Sequence, residues 1–164
     1  MRRSSCLALA AIVFPVSAEA HSGTVTVELP RISEANYRKP YVAVWLENAS
    51  GQTLAVSGVM YDQARIGLRW LPELRAWWRK GGRGLEMPAD GISMPTRGPG
   101  HYNIGLRGVE TLPDGAYNVV VEAAREKAGR EVVKVPVMVR NGVLARGSAS
   151  GSRELGKISV AIGP

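Results

Sequence analysis

From Thr24 onward the chain is a succession of short β-rich runs cut at regular intervals by turn residues, and this rhythm constrains the fold more than any other feature. Thr24-Val25-Thr26-Val27-Glu28-Leu29 alternates polar and apolar residues, so Val25, Val27 and Leu29 share one face of a half-buried strand. Tyr41 to Glu47 (YVAVWLE) follows Pro40 and is apolar on both faces, as expected of a central strand covered on two sides. The turn Asn48-Ala49-Ser50-Gly51 leads into Thr53 to Met60, which reads as the second arm of a hairpin. His101 to Leu106, Ala116 to Ala123, Val132 to Val139 and Lys157 to Ile162 continue the series, parted by clusters such as Leu112-Pro113-Asp114-Gly115 and Asn141-Gly142. About seven strands at this spacing predict an all-β chain folded as an immunoglobulin-like β-sandwich.

Two segments carry more local information. Pro99-Gly100-His101-Tyr102 and Asp114-Gly115-Ala116-Tyr117 both place Gly-x-Tyr at a strand entrance, where a Tyr buries its ring while its hydroxyl seeks a backbone partner. In "LPELRAWWRKGG", Pro72 suits a first helical position, Glu73 the positive end of the dipole and Arg79 and Lys80 the negative end, with Gly81 or Gly82 as cap. Leu74, Trp77 and Trp78 fall on one face, which predicts one short amphipathic helix lying across the sandwich with its tryptophans in the core. Ser148-Ala149-Ser150-Gly151-Ser152 reads as flexible polar loop.

The first twenty residues are set apart from this pattern. Met1-Arg2-Arg3, the apolar run from Cys6 to Val16 and Ala18-Glu19-Ala20 form the three parts of a secretory signal peptide. Cleavage is expected after Ala20, with Ala18 as a competing site, leaving residues 21–164 as one domain. The apolar run is too short to span a bilayer, which takes about 20 residues, and no later segment suggests a transmembrane helix. The only cysteine, Cys6, lies in the segment to be removed, so no disulfide or Cys-based metal site is expected in the exported chain. Removing Arg2, Arg3 and Glu19 from 21 basic and 14 acidic residues leaves 19 against 13, a net charge of +6. The cations are interspersed with acids, as on a solvated surface, and export argues against a nucleic-acid partner.

Pro30-Arg31, Tyr37, Pro40 to Glu47, Tyr61-Asp62, Trp70 to Arg79, Asp90-Gly91 through Thr96-Arg97, Val121 to Glu126 and Glu154-Leu155-Gly156, taken in order, resemble a family of bacterial periplasmic proteins known as domain of unknown function 2271. The resemblance implies a periplasmic location and an immunoglobulin-like sandwich related to those of flagellar hook-capping proteins. It also implies company, since such proteins are often encoded near PepSY-domain membrane reductases, iron-uptake receptors and the transferase that attaches FMN to exported proteins. An inner-membrane PepSY-type reductase or an uptake-system protein is therefore the expected partner.

In many relatives the stretch matching Asp90 to Thr96 looks like Asp-x-x-Thr-Gly-Ala-Thr, similar to the motif whose last Thr is esterified by the flavin phosphate. This chain keeps Asp90, a hydroxyl at Ser93 and the acceptor Thr96, which the resemblance marks as cofactor-binding residues. It departs at Met94, which adds bulk, and at Pro95, which fixes φ and removes a donor. The plain alternative is a Pro/Gly-rich loop between strands.

A further alternative rests on the two histidines, His21 and His101. An N-terminal His21 offers an amine and a ring nitrogen, and His101 would complete a three-nitrogen copper site. No G-x-S-x-G turn marks a hydrolase. Arg31, Arg75, Arg79 and Arg97 are candidates for a docking surface. The expected function is thus a non-enzymatic periplasmic accessory of an envelope redox or iron/metal-uptake system, without a cofactor of its own. An electron carrier bearing FMN on Thr96 and a copper-binding protein are the alternatives.

Overall fold

The structure, a computed structural model, describes residues 23–162. Two sheets pack face to face. One is antiparallel, with order β5 (Gly100–Leu106), β1 (Gly23–Leu29), β10 (Lys157–Ile162) and β9 (Gly147–Ser150). The other has order β4 (Ser93–Pro95), β3 (Thr53–Tyr61), β2 (Tyr41–Asn48), β6 (Gly115–Ala124), β7 (Arg130–Arg140) and β8 (Val143–Leu144), and only its β3–β4 pair is parallel. The all-β sandwich expected from the rhythm of strands and turns is the fold observed.

The alternation in β1 has the consequence expected of it. Val25, Val27 and Leu29 are buried between the sheets against Val42, Val44 and Leu46 of β2 and Val119 and Val121 of β6. The doubly apolar β2 sends its other residues, Tyr41, Ala43 and Trp45, to the outer face of the six-stranded sheet. There they join Val59, Tyr61 and Val120 in a second core beneath Leu71, Leu74 and Trp77. Both Gly-x-Tyr corners form: the Tyr102 hydroxyl donates to Gly98 O at 2.8 Å and the Tyr117 hydroxyl to Pro113 O at 2.8 Å.

The segment covering the second core is a strap of three pieces: a 3-10 run over Arg65–Glu73, helix α1 over Arg75–Arg79 and a 3-10 turn over Gly82–Gly84. Leu74 and Trp77 face the sheet, as their spacing predicts, and Trp78 is half-buried. The expected start at Pro72 is corrected, because Pro72 lies inside the 3-10 run and α-helical geometry begins at Arg75. Glu122, fully buried on β6, accepts the Ala76 N–H at 3.0 Å and the Trp77 N–H at 2.8 Å, so a carboxylate on the sheet, rather than Glu73, caps this helix. At the other end Lys80 pairs with buried Glu47 at 2.7 Å. Two acids on central strands thus pin both ends of α1.

Three short strands, β4, β8 and β9, add to the seven expected. The expectation of a flexible loop over Ser148 to Ser152 is corrected in its first half, since Ser148, Ala149 and Ser150 belong to β9 and pair with β10. The turn after β9 is held by Glu131, whose carboxylate accepts the backbone N–H groups of Ser152, Arg153, Glu154 and Leu155. Among the described residues no helix is long and apolar enough to cross a membrane.

Candidate functional site: a cleft beside Thr96

The stretch from Asp90 to Thr96 is built as a turn followed by an edge strand. Ser93 N–H donates to Ala89 O at 3.1 Å and the Ser93 hydroxyl accepts the Ala89 N–H at 2.8 Å. Gly91 supplies the positive φ of 72° that this turn requires. Asp90 is exposed on the turn, so Ser93 fixes the loop while Asp90 faces solvent. β4 then pairs Ser93, Met94 and Pro95 with Val59, Met60 and Tyr61, and the Thr96 N–H extends the ladder to Tyr61 O at 2.9 Å. Pro95 is tolerated because β4 is an edge strand. The Met94 side chain packs over Gly58 against the inner core, where a Cβ on Gly58 would collide with it. The bulk that the sequence places before Thr96 is thereby stowed away from it.

Thr96 itself is half-buried, and its hydroxyl donates to Pro40 O at 2.8 Å. It lines a cleft of about 650 Å³. Buried Tyr41 and Ala124 line it from the sheet, the strap contributes Ile66, Arg69 and Trp70, and Arg38 comes from the segment before β2. The Arg69 guanidinium carbon lies 4.9 Å from the Trp70 ring centroid, a cation–π arrangement on the wall. Arg38 pairs with Glu126 at 2.9 Å, and Asp62 and Glu73 complete the polar rim. The Tyr41 hydroxyl donates to Gly67 O at 2.9 Å, fixing the 3-10 run over the floor, and burial raises its pKa above the ordinary value. A smaller hollow of about 390 Å³, lined in part by Arg75, Lys127 and Arg130, shares Glu73 and Ala124 with the cleft.

Behind the cleft the end of β6 is bolted in place. Arg125 is buried and donates to Glu154 at 2.6 and 2.9 Å and to Glu34 at 2.6 and 3.0 Å. Hydrogen bonds to Glu154 and then Glu34 raise its pKa further above its already high ordinary value, and the bond to Arg125 lowers that of Glu34. Glu47 accepts from Trp45 Nε1 at 2.8 Å, Lys134 at 2.8 Å and Lys80. Burial pushes its carboxyl up, but the Lys134, Lys80 and Trp45 contacts outweigh burial and hold it below the ordinary value. Glu122, Arg125 and Glu126, three positions in one short run of β6 and its turn, therefore cap the strap, anchor the strand end and pair at the cleft rim. In the sequence this run shows only as a charged cluster ending an apolar strand, a signal that marks a strand end but not these partners.

The remaining candidates do not gather at the cleft. His101 is exposed on β5 opposite Glu28, five register positions from the Gly23–Leu106 pair, and His21 lies outside the described residues. Among the described residues no group of three or more His, Cys, Asp or Glu side chains is placed to hold a metal ion. Of the four arginines singled out, Arg75 and Arg79 sit on the strap, while Arg31 and Arg97 are exposed in the segments after β1 and Thr96.

For the FMN that the motif implies, the cleft's volume and half-buried Trp70 would suit a planar heterocycle and Arg38 and Arg69 a phosphate diester, while Thr96 lines the same cleft with its hydroxyl bonded to Pro40 O.

No curated protein and no solved structure matches the chain. A family model described as "Predicted periplasmic protein (DUF2271)" matches residues 22–157. With most of its length matched, the chain belongs to this family of periplasmic proteins.

Proposed function

We propose that the protein is a non-enzymatic binding accessory of an envelope redox or iron/metal-uptake system, and that the cleft beside Thr96 is where it engages its partner. The observation that carries this reading is the cleft itself. It is an open concavity with a half-buried indole, an ion-paired rim and a buried, hydrogen-bonded floor, held by contacts from four separate segments of the chain. Pre-organised walls of this kind suit recognition, because little conformational freedom is lost on binding. The partner class is an inner-membrane PepSY-type reductase or an uptake-system protein. Co-expression with such a partner, followed by co-purification, tests the reading. Arg38→Glu with Arg69→Glu is expected to weaken capture at least about tenfold, as loss of interface charges does. Unchanged capture by this double variant would overturn the role of the cleft.

The second reading, an electron carrier with FMN esterified to Thr96, is favoured by one observation: Thr96 lines the cleft while Met94 is packed inward. When bound, the isoalloxazine supplies the electron transfer. The chain's part would be to hold it: Thr96 would carry the phosphoester in place of its hydrogen bond to Pro40 O, Arg38 and Arg69 would meet the diester charge, and Trp70 would supply an aromatic wall. Intact mass of protein made alongside the FMN transferase decides this reading. An increment of one FMN minus water, absent in Thr96→Ala, establishes the carrier, and an unmodified mass rejects it.

A further inference from the structure

The strap carries a concentration of positive charge of which the cleft uses only Arg69 and the fold only Lys80. Between residues 65 and 83 stand Arg65, Arg69, Arg75, Arg79, Lys80 and Arg83, all exposed, against a single acid, Glu73. Lys80 is engaged with Glu47, and Arg75 reaches Glu73 only at 3.8 Å. The other four form no ion pair among the described residues. The acids beneath the strap do not cancel this field, because Glu47 is already countered by Lys80 and Lys134, and Glu122 by Arg130 and the α1 N–H groups. Aliphatic side chains protrude among the cations: Ile66 is 63% exposed and Leu85, just beyond, 37%.

The strap's own packing explains its buried half and leaves the outer half without a role. Its cations are distributed along the segment rather than confined to one turn, as a site for a single phosphate or carboxylate would require. They are spread over all three pieces of the strap, Arg65 and Arg69 on the 3-10 run, Arg75 and Arg79 on α1 and Arg83 on the last turn. A distributed row of arginines with projecting aliphatic tips suits a surface that is anionic everywhere and apolar just below, and that sets no register.

We infer that the strap docks the protein peripherally on an anionic lipid surface, with Arg65, Arg75, Arg79 and Arg83 at the headgroups and Leu85 dipping among them. The location is compatible, since a periplasmic protein lies between two membranes. Docking in this way also turns the Ile66–Arg69 side of the cleft toward the membrane. Each basic residue near an anionic surface is worth about fivefold in partitioning, so a few of them suffice for reversible association.

The test is co-sedimentation of the purified protein with phosphatidylglycerol–phosphatidylcholine vesicles and with phosphatidylcholine alone, in low and high salt. Binding is expected only to the anionic vesicles and is expected to fall in high salt. Arg75→Glu, Arg79→Glu and Arg83→Glu together, which leave the cleft wall untouched, are expected to reduce partitioning at least about tenfold. Arg140→Glu, Arg146→Glu and Arg153→Glu change net charge equally on other elements and are expected to reduce it far less. Circular dichroism and urea unfolding of both variants confirm that they fold. Absence of binding to anionic vesicles would overturn the inference, as would equal loss in the two variants, which would assign the effect to bulk charge. Strap-dependent capture by polyglutamate without vesicle binding would likewise overturn it in favour of an acidic protein partner.

Discussion

Single residues in this protein are decided by how buried charge is satisfied. Arg125 and Glu154 are nearly inaccessible, with side chains 3% and 4% exposed, so each depends on the other to offset desolvation. Arg125→Ala would leave Glu154 buried without its partner and is expected to destabilise the fold by about 3–5 kcal/mol, read by urea unfolding. A loss below about 1 kcal/mol would mean that water reaches Glu154. The carboxylates set the acid limit. Glu131 is pushed up by burial, but four backbone N–H donors outweigh this and hold it below its ordinary value of 4.5, and Glu47 is also depressed. Stability from such groups is complete above the unfolded value and is lost as pH falls through the lower folded one. Unfolding free energy is therefore expected to be level down to about pH 5 and to drop below it, with Glu131→Gln less stable at neutral pH and flatter in acid. An unchanged acid profile in Glu131→Gln would contradict this. None of these roles was legible in the sequence, where Glu131 and Arg125 are simply charged residues at strand ends. Their partners, Ser152 to Leu155 and Glu154, lie more than twenty residues away, and only the closed sandwich brings them together.

Among elements, the strap shows where local sequence suffices and where it does not. The spacing of Leu74, Trp77 and Trp78 announced an amphipathic segment and its buried face, because both depend on neighbours along the chain. Its start at Arg75 depends on Glu122, which belongs to another strand, and its close seating depends on Gly82. A Cβ at Gly82 would fall 2.7 Å from the Trp77 indole. Gly82→Ala is accordingly expected to cost about 1–3 kcal/mol and to alter the near-ultraviolet dichroism of the tryptophans. A neutral result would show that Trp77 has room to shift. The long strands were readable for the same reason as the strap's buried face. β4, β8 and β9 were not, since two to four residues of Ser, Met, Pro, Val, Leu, Gly and Ala carry too little periodicity and become strands only beside an existing edge.

For the whole molecule, the sandwich is a scaffold whose six-stranded sheet is covered on its outer face by the strap, and the cleft opens where strap, β2, β4 and the end of β6 meet. Asp90, Ser93 and Thr96 were singled out in the sequence, yet only Thr96 reaches the cleft. Ser93 serves the turn, and Arg38, Arg69 and Trp70 had no local signal linking them to it. The central claim is that this cleft is a partner-binding site. Site-specific photocrosslinking in the periplasm tests it most directly, with benzoylphenylalanine placed at Ile66 on the cleft wall or at Met138 on β7 outside it. The account predicts a defined crosslink to an inner-membrane redox or uptake protein from Ile66 that disappears in Arg38→Glu/Arg69→Glu, and none from Met138. Equal crosslinking from both positions, or an Ile66 crosslink indifferent to the two arginines, would contradict it.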